Sequence, residues 1–364
     1  MSQLRPKQGI QNIKPHMLSA ASDDYPPASI RLNSNESAFG PSPAAIAAAK
    51  AAVTGLERYL ENPAAVLAPA LAKRHALEPE RITIGNGSDD LLARLARIYL
   101  ESGSEMIRSC NGYLKTPNYA YANNATPISV DDDDLTPSVD AMLAAVTPNT
   151  RMVYLANPEN PAGTYLPGRE IRRLHQSLPE HVLLVLDCAY EEYVDAADYE
   201  AAQLLAGSAD NVVMTRTFSK IYGLAGARVG WMYGSGEIID LVNRIGLTFP
   251  VASPSLQAAV ASLDDISHQT RVYEINRRLR ASFSTAMRAL GLKVYPSQTN
   301  FVLLSFANSE RNAADCDHYL RKRGIAIRRF AAAAYTDCIR VTIGYEADML
   351  AAQDAIKHFM EASG

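Results

Sequence analysis

Lys220 lies at the end of Thr215-Arg216-Thr217-Phe218-Ser219-Lys220, and the chain runs on through Gly223-Leu224-Ala225-Gly226-Ala227 to Arg228. A primary amine bonds covalently to a carbonyl, while hydroxyls and a guanidinium hold phosphate oxygens. The segment therefore suits a phosphate-bearing carbonyl cofactor. Alone, Lys220 reads as a surface lysine after a strand; its neighbours are what give it a chemistry. Asp187 closes the apolar run 182–186, at a strand's carboxyl end, where open α/β sheets bind ligands. A carboxylate there can keep a ring nitrogen protonated and make the ring an electron sink. Tyr190, three residues on, can donate to a phenolic oxygen. Taken alone, Asp187 is as readily a helix N-cap.

Three further segments have matching chemistry. In Asn157-Pro158-Glu159-Asn160-Pro161-Ala162-Gly163-Thr164 the prolines and glycine make a rigid turn that can aim an asparagine amide, or is a turn and nothing more. Gly85-Asn86-Gly87-Ser88-Asp89 joins a strand to a helix, whose first amides form an anion site. Tyr113, after Asn111-Gly112, either stacks on a ring or packs in the core. The acidic run 131–134 reads as a solvated loop, and no metal site is expected.

These residues need elements to position them. Apolar runs at 82–84, 152–155, 182–186, 212–214 and 229–232 alternate with helical stretches. The last four do not alternate polar and apolar, so they read as strands buried on both faces of a mostly parallel α/β sheet. An alanine-rich helix spans 41–56. Another runs over 88–99, with Ser88 as its N-cap and Asp89 and Asp90 in its first turn. After 254 the texture changes to a long helix over 268–290, strands at 301–306, 325–327 and 339–343, and a last helix from Glu346. The expected division is an N-terminal arm over 1–30, a large domain over 31–253 and a smaller α+β domain over 254–364.

Composition narrows the class. Of 364 residues 48% are hydrophobic and the net charge is −4, which gives no electrostatic reason to expect nucleic acid or an anionic membrane. The four cysteines are widely spaced without a CxxC pair, as in reduced cytoplasmic thiols. No secretory leader and no membrane helix are expected.

Taken in chain order, these segments resemble the fold-type I pyridoxal-phosphate enzymes, and within them the histidinol-phosphate aminotransferase branch of the class I/II aminotransferases. The resemblance covers nearly the whole chain. It includes Leu32-Asn33-Ser34-Asn35-Glu36, Arg58-Tyr59 near Asn62-Pro63, Thr299-Asn300-Phe301 and Arg340 within Cys338-Ile339-Arg340-Val341-Thr342. It implies pyridoxal 5′-phosphate as cofactor and Lys220 as its covalent partner and proton shuttle. Asp187 would pair the ring nitrogen, Asn160 and Tyr190 would hold the phenolic oxygen, and Tyr113 would stack on the ring. Gly87, Ser88, Asp89, Thr217, Ser219 and Arg228 would serve the phosphate. Tyr59 would reach the phosphate of a neighbouring subunit, making a homodimer with shared sites. Arg340 and Arg328 would bind the anionic end of the substrate, with Asn35 and His16 also at the substrate.

Several positions depart from that branch. Cys110-Asn111-Gly112 stands where Glu-His-Gly is usual, Thr116 where a tyrosine is usual, His16 where the arm carries a tyrosine, and Ala162 where the Asn turn has a threonine. The cofactor set is intact while the substrate-facing positions have drifted. The expected activity is transamination between histidinol phosphate and 2-oxoglutarate. Its alternatives are an aromatic or other amino-acid donor, a decarboxylase of threonine-phosphate type, or a non-catalytic domain that keeps the fold.

Overall fold

The computed structural model describes residues 4–13, 26–60 and 62–362. Its centre is a seven-stranded sheet in the order Ile82–Asn86, Val229–Tyr233, Val212–Thr217, Leu183–Asp187, Thr150–Ala156, Glu105–Ser109, Thr126–Val130. Neighbours from Val212–Thr217 to Thr126–Val130 are parallel. Val229–Tyr233 alone runs against its neighbours and lies between Ile82–Asn86 and Val212–Thr217.

The apolar runs are continuous because the sheet is covered on both faces. Val153, Leu155, Leu184, Leu186 and Trp231 enter one core with the Pro63–His75 and Gly168–Ser177 helices, while Met152, Tyr154, Val185, Val213 and Met232 enter the other with Ser88–Tyr99 and Gly236–Arg244. Two strands have no apolar run to mark them. Glu105–Ser109 includes a buried Arg108, and Thr126–Val130 contains Pro127, which an edge strand tolerates.

A three-stranded antiparallel sheet (Lys293–Val294, Phe301–Ser305, Cys338–Thr342) builds a second core with the Ile266–Ala289, Ala313–Arg321 and Glu346–Glu361 helices. Packing divides the chain differently from a boundary at 254. The Ser253–Asp264 helix buries Leu256, Ala259 and Leu263 in the large core, and the change of core falls inside Ile266–Ala289, between Val272 and Leu279. Ile30–Arg31 pairs with Ile325–Ala326 and Leu32 enters the second core, so the start of the expected large domain docks on the smaller body.

Two local expectations are corrected. Gly87, with φ +80°, is the N-cap of Ser88–Tyr99 and Ser88 is the first helical residue. The run 131–134 is solvated as expected except at Asp132, but it is more than a loop: Asp132–Asp133 pairs with Thr136–Pro137, and Asp132 accepts the Asn111 N–H at 3.2 Å. Among the described residues no acidic or thiol cluster is arranged for a metal.

Candidate active site

Lys220, Asp187 and Tyr190 meet in a cleft of about 270 Å³ at the carboxyl ends of the sheet strands. The Lys220 amine lies 5.4 Å from the centre of the Tyr190 ring. Asp187 is buried; it accepts the Tyr154 hydroxyl at 2.7 Å and the Thr215 hydroxyl at 3.2 Å. Burial pushes its carboxyl up to about 6, against the pull of those hydroxyls and of Lys220. Tyr190 stands edge-on to Phe301, and its hydroxyl accepts the Asn35 side-chain amide at 2.8 Å. Asn35 sits in left-handed backbone at φ 54° and is tied to Thr342, whose hydroxyl accepts its main-chain N–H at 3.0 Å. Asn35, expected at the substrate, therefore has its amide engaged in aiming the Tyr190 hydroxyl.

The anion cradle joins two distant parts of the chain. The positive φ of Gly87 brings the first turn of Ser88–Tyr99 under the Arg228 guanidinium, where a Cβ at Gly87 would stand 2.4 Å from Nη2. A Cβ at Gly230 would stand 2.2 Å from the Ser88 nitrogen, so both glycines are required by close approach. Arg228 Nη1 donates to Ser219 Oγ at 3.3 Å, and the Ser219 N–H donates to Thr217 Oγ1 at 3.1 Å. Asp89 lines the cleft from the same first turn, but its carboxylate is engaged elsewhere. Its carboxylate accepts the hydroxyls of Tyr119 at 2.6 Å and Tyr113 at 3.3 Å, with Lys115 at 3.2 Å. Burial alone would raise that carboxyl, but these donors outweigh it and hold it below its ordinary value. An anionic side chain does not bind phosphate; this one orients Tyr113.

Tyr113 and Asn160 approach the cleft from separate loops. Both main-chain N–H groups donate to one oxygen of Glu159, at 3.1 and 2.9 Å. Burial pushes the Glu159 carboxyl up to about 8. The Asn157-Pro158 and Asn160-Pro161 peptide bonds are cis. Asn160 Oδ1 accepts from Arg340 at 2.6 Å, and Arg340 also donates to the Asn33 carbonyl at 3.0 Å. Burial lowers the Arg340 pKa to about 10, which leaves it cationic at neutral pH. Arg328 exchanges both main-chain hydrogen bonds with Arg340; neither side chain lines the cleft, and Arg340 meets its wall through Asn160.

Tyr59 lies elsewhere. It is 79% exposed, stacks on Phe249 at 4.2 Å and does not line the cleft. His16 lies outside the described residues. Tyr154, Thr215 and Glu159 were not expected from the sequence. For Tyr154 there was a signal: a tyrosine in a strand buried on both faces needs a partner for its hydroxyl.

The residues present fit pyridoxal 5′-phosphate. Gly87, Ser88, Ser219 and Arg228 form a cationic, amide-lined cradle that admits no Cβ. Asp187 is a buried carboxylate whose ionised form a ring cation would stabilise, and Lys220 offers its amine in the same cleft.

The sequence matches the family described as aminotransferase class I and II over residues 27–356. It is 42% identical to a histidinol-phosphate aminotransferase of Rhodospirillum centenum, over 98% of each chain. It is 44% identical to one of Rhodopseudomonas palustris strain HaA2, over 94% of this chain and 95% of that one. The crystal structure of histidinol-phosphate aminotransferase from Sinorhizobium meliloti in complex with pyridoxal-5′-phosphate is 30% identical. It superposes with a TM-score of 0.85 over 92% of this chain and 91% of that one.

Proposed function

The chain belongs to the class I and II aminotransferases, and on that premise we propose that it moves the amino group of histidinol phosphate to 2-oxoglutarate. It is a pyridoxal-phosphate enzyme. When bound, the cofactor supplies an electron-withdrawing ring that stabilises negative charge at the donor's Cα. Lys220 Nζ would take the proton from the donor's Cα and pass it to the cofactor's former carbonyl carbon. In the second half-reaction it would carry a proton from that carbon to the Cα of the oxo acid. Asp187 would hold the ring nitrogen in its charged form, and Tyr190 and Asn160 the phenolic oxygen. Arg228, Ser219 and the first amides of Ser88–Tyr99 would hold the phosphate. Arg340, backed by Arg328, binds the anionic end of either substrate, since a guanidinium accepts phosphate and carboxylate by the same forked geometry.

The observation that carries this reading is the convergence of Lys220, Asp187 and Tyr190 in one cleft beside the Gly87–Arg228 cradle. The donor is inferred from relatives of that name at 41–44% identity over nearly the whole chain. Tyr59, exposed in one subunit, is assigned to a partner's phosphate in a homodimer. No helix among the described residues is long and apolar enough to cross a membrane; with free thiols at all four cysteines, a cytoplasmic setting is proposed.

The test is a panel of amino donors with 2-oxoglutarate, following glutamate formation. Histidinol phosphate should be the best donor. Negligible turnover of it beside rapid turnover of phenylalanine or tyrosine would reassign the substrate. Release of carbon dioxide without consumption of the oxo acid would make the enzyme a decarboxylase.

A further inference from the structure

We propose that Glu159 is a positioning residue, which holds the Tyr113 ring and the Asn160 carboxamide in fixed relation by accepting both residues' main-chain N–H groups on a single oxygen. The inference rests on the reading above that Tyr113 stacks on the cofactor ring and Asn160 meets its phenolic oxygen.

Glu159 does not line the cleft and touches none of the reacting atoms. It is 2% exposed, and its Oε1 takes Tyr113 N at 3.1 Å and Asn160 N at 2.9 Å. Its own backbone is fixed, because Glu159 N donates to the Thr164 carbonyl at 2.8 Å and its carbonyl accepts Gly163 N at 2.9 Å. The other carboxylate oxygen lies so close beneath the Tyr113 loop that a Cβ at Gly112 would stand 2.8 Å from it.

The rest of that loop is anchored to other elements. Arg108 donates to the carbonyls of Cys110 at 3.3 Å and Gly112 at 3.2 Å. Asp132 accepts Asn111 N, and Tyr335 donates to the Asn111 carbonyl at 2.5 Å. These contacts place the loop against the sheet, the 132–137 hairpin and the smaller body, whereas Glu159 ties it to the turn that carries Asn160. Protonated or ionised, Oε1 remains an acceptor, so the clamp requires the oxygen and not the charge. Without it, two part-buried N–H groups lose their partner, and the Tyr113 ring and Asn160 amide shift independently.

The experiment compares wild type, Glu159→Gln and Glu159→Leu as holoenzymes and as apoproteins titrated with pyridoxamine 5′-phosphate. Glutamine keeps a carbonyl at Oε1 and should leave the visible circular dichroism of the bound cofactor, its affinity and kcat near wild type. Leucine should alter the dichroism, weaken pyridoxamine phosphate binding about tenfold or more, and lower kcat with little change in the donor's KM. If Glu159→Leu does not fold, Gly112→Ala presses on the same carboxylate from above and should give the same signature. Tyr113→Ala is the control. A spectrum that moves with Tyr113→Ala but not with Glu159→Leu or Gly112→Ala overturns the clamp alone. A spectrum unmoved by Tyr113→Ala removes the stacking assignment, and the clamp with it.

Discussion

Tyr154 donates its hydroxyl to Asp187 at 2.7 Å from the neighbouring strand, both side chains buried yet lining the cleft. This bond stabilises the carboxylate over the acid, against the burial that pushes Asp187 up to about 6. Replacing Tyr154 by phenylalanine removes a hydrogen bond to a charged group, a loss of about 1.5–3 kcal/mol. The carboxylate is the form that meets a ring cation, so apoprotein affinity for the cofactor should fall about tenfold near neutrality. Its rise with pH should also move to higher pH. Titrating wild type and Tyr154→Phe across pH with pyridoxamine phosphate reads both effects, and superimposable curves would contradict them.

Asp187 should also cost the empty protein stability. Its pKa rises from 3.8 in the unfolded chain to about 6 in the fold. Between those values the folded state holds the extra proton, so apoprotein stability falls as pH climbs through that window and stays lower above it. Asp187→Asn should therefore make the apoprotein more stable than wild type at pH 8, by up to ~3 kcal/mol, with the gap closing towards pH 4. The same variant should lose nearly all turnover. Urea denaturation of the two apoproteins at both pH values checks the sign.

Gly87→Ala meets two obstacles, a φ of +80° and the Arg228 guanidinium 2.4 Å from the new Cβ. Cofactor affinity should drop on the order of ten- to a hundredfold. Gly226→Ala, beside the same loop but with nothing within 4 Å of its Cβ, should bind as wild type does. Equal affinities for the two variants would show that the phosphate is held elsewhere.

Removing Arg340 strands two acceptors, Asn160 Oδ1 and the Asn33 carbonyl. Arg340→Ala should weaken both half-reactions by about tenfold or more, because one guanidinium serves both the phosphate and the dicarboxylate. Arg340→Lys should recover little, since a single ammonium cannot reproduce the planar fork. Single-turnover measurements with the donor and the acceptor separately test this, and loss confined to one of them would divide the two roles between different residues.

Tyr59 stands exposed on Phe249. If it completes a partner's site, Tyr59→Ala and Lys220→Ala subunits, each inactive, should regain about a quarter of wild-type activity on mixing, because half the dimers are hybrids with one intact site. A chain that stays monomeric and active on dilution would refute the shared site.

The cofactor side was legible because its residues lie beside local signals. The helix expected over 88–99 spans Ser88–Tyr99, and Asp187 does end a buried apolar strand. Glu105–Ser109 was not legible, because Arg108 breaks its apolar pattern and finds its partners in the loop that follows the strand and in Ser129 of the edge strand beside it. Glu159 read as a turn residue, and nothing near it in sequence indicates that its carboxylate accepts the amide of Tyr113, 46 residues away. Asn35 likewise depends on Thr342, 307 residues along the chain. Local propensity does not encode such pairings: the first exists only once the Glu105–Ser109 and Thr150–Ala156 strands have paired, the second only once the smaller body has docked.

That last contact bears on how the protein comes into being. Translation delivers about 5–20 residues per second, and domains fold as they emerge. The central sheet, Lys220 and the Gly87–Arg228 cradle are all encoded before residue 234. The Tyr190 hydroxyl is aimed by Asn35, though, and Asn35 is held by Thr342 through bonds that close a loop of more than three hundred residues. A nascent chain can thus gather most of its catalytic groups while still unable to use them, and competence should arrive in a single late step, when the ribosome has released the strand Cys338–Thr342.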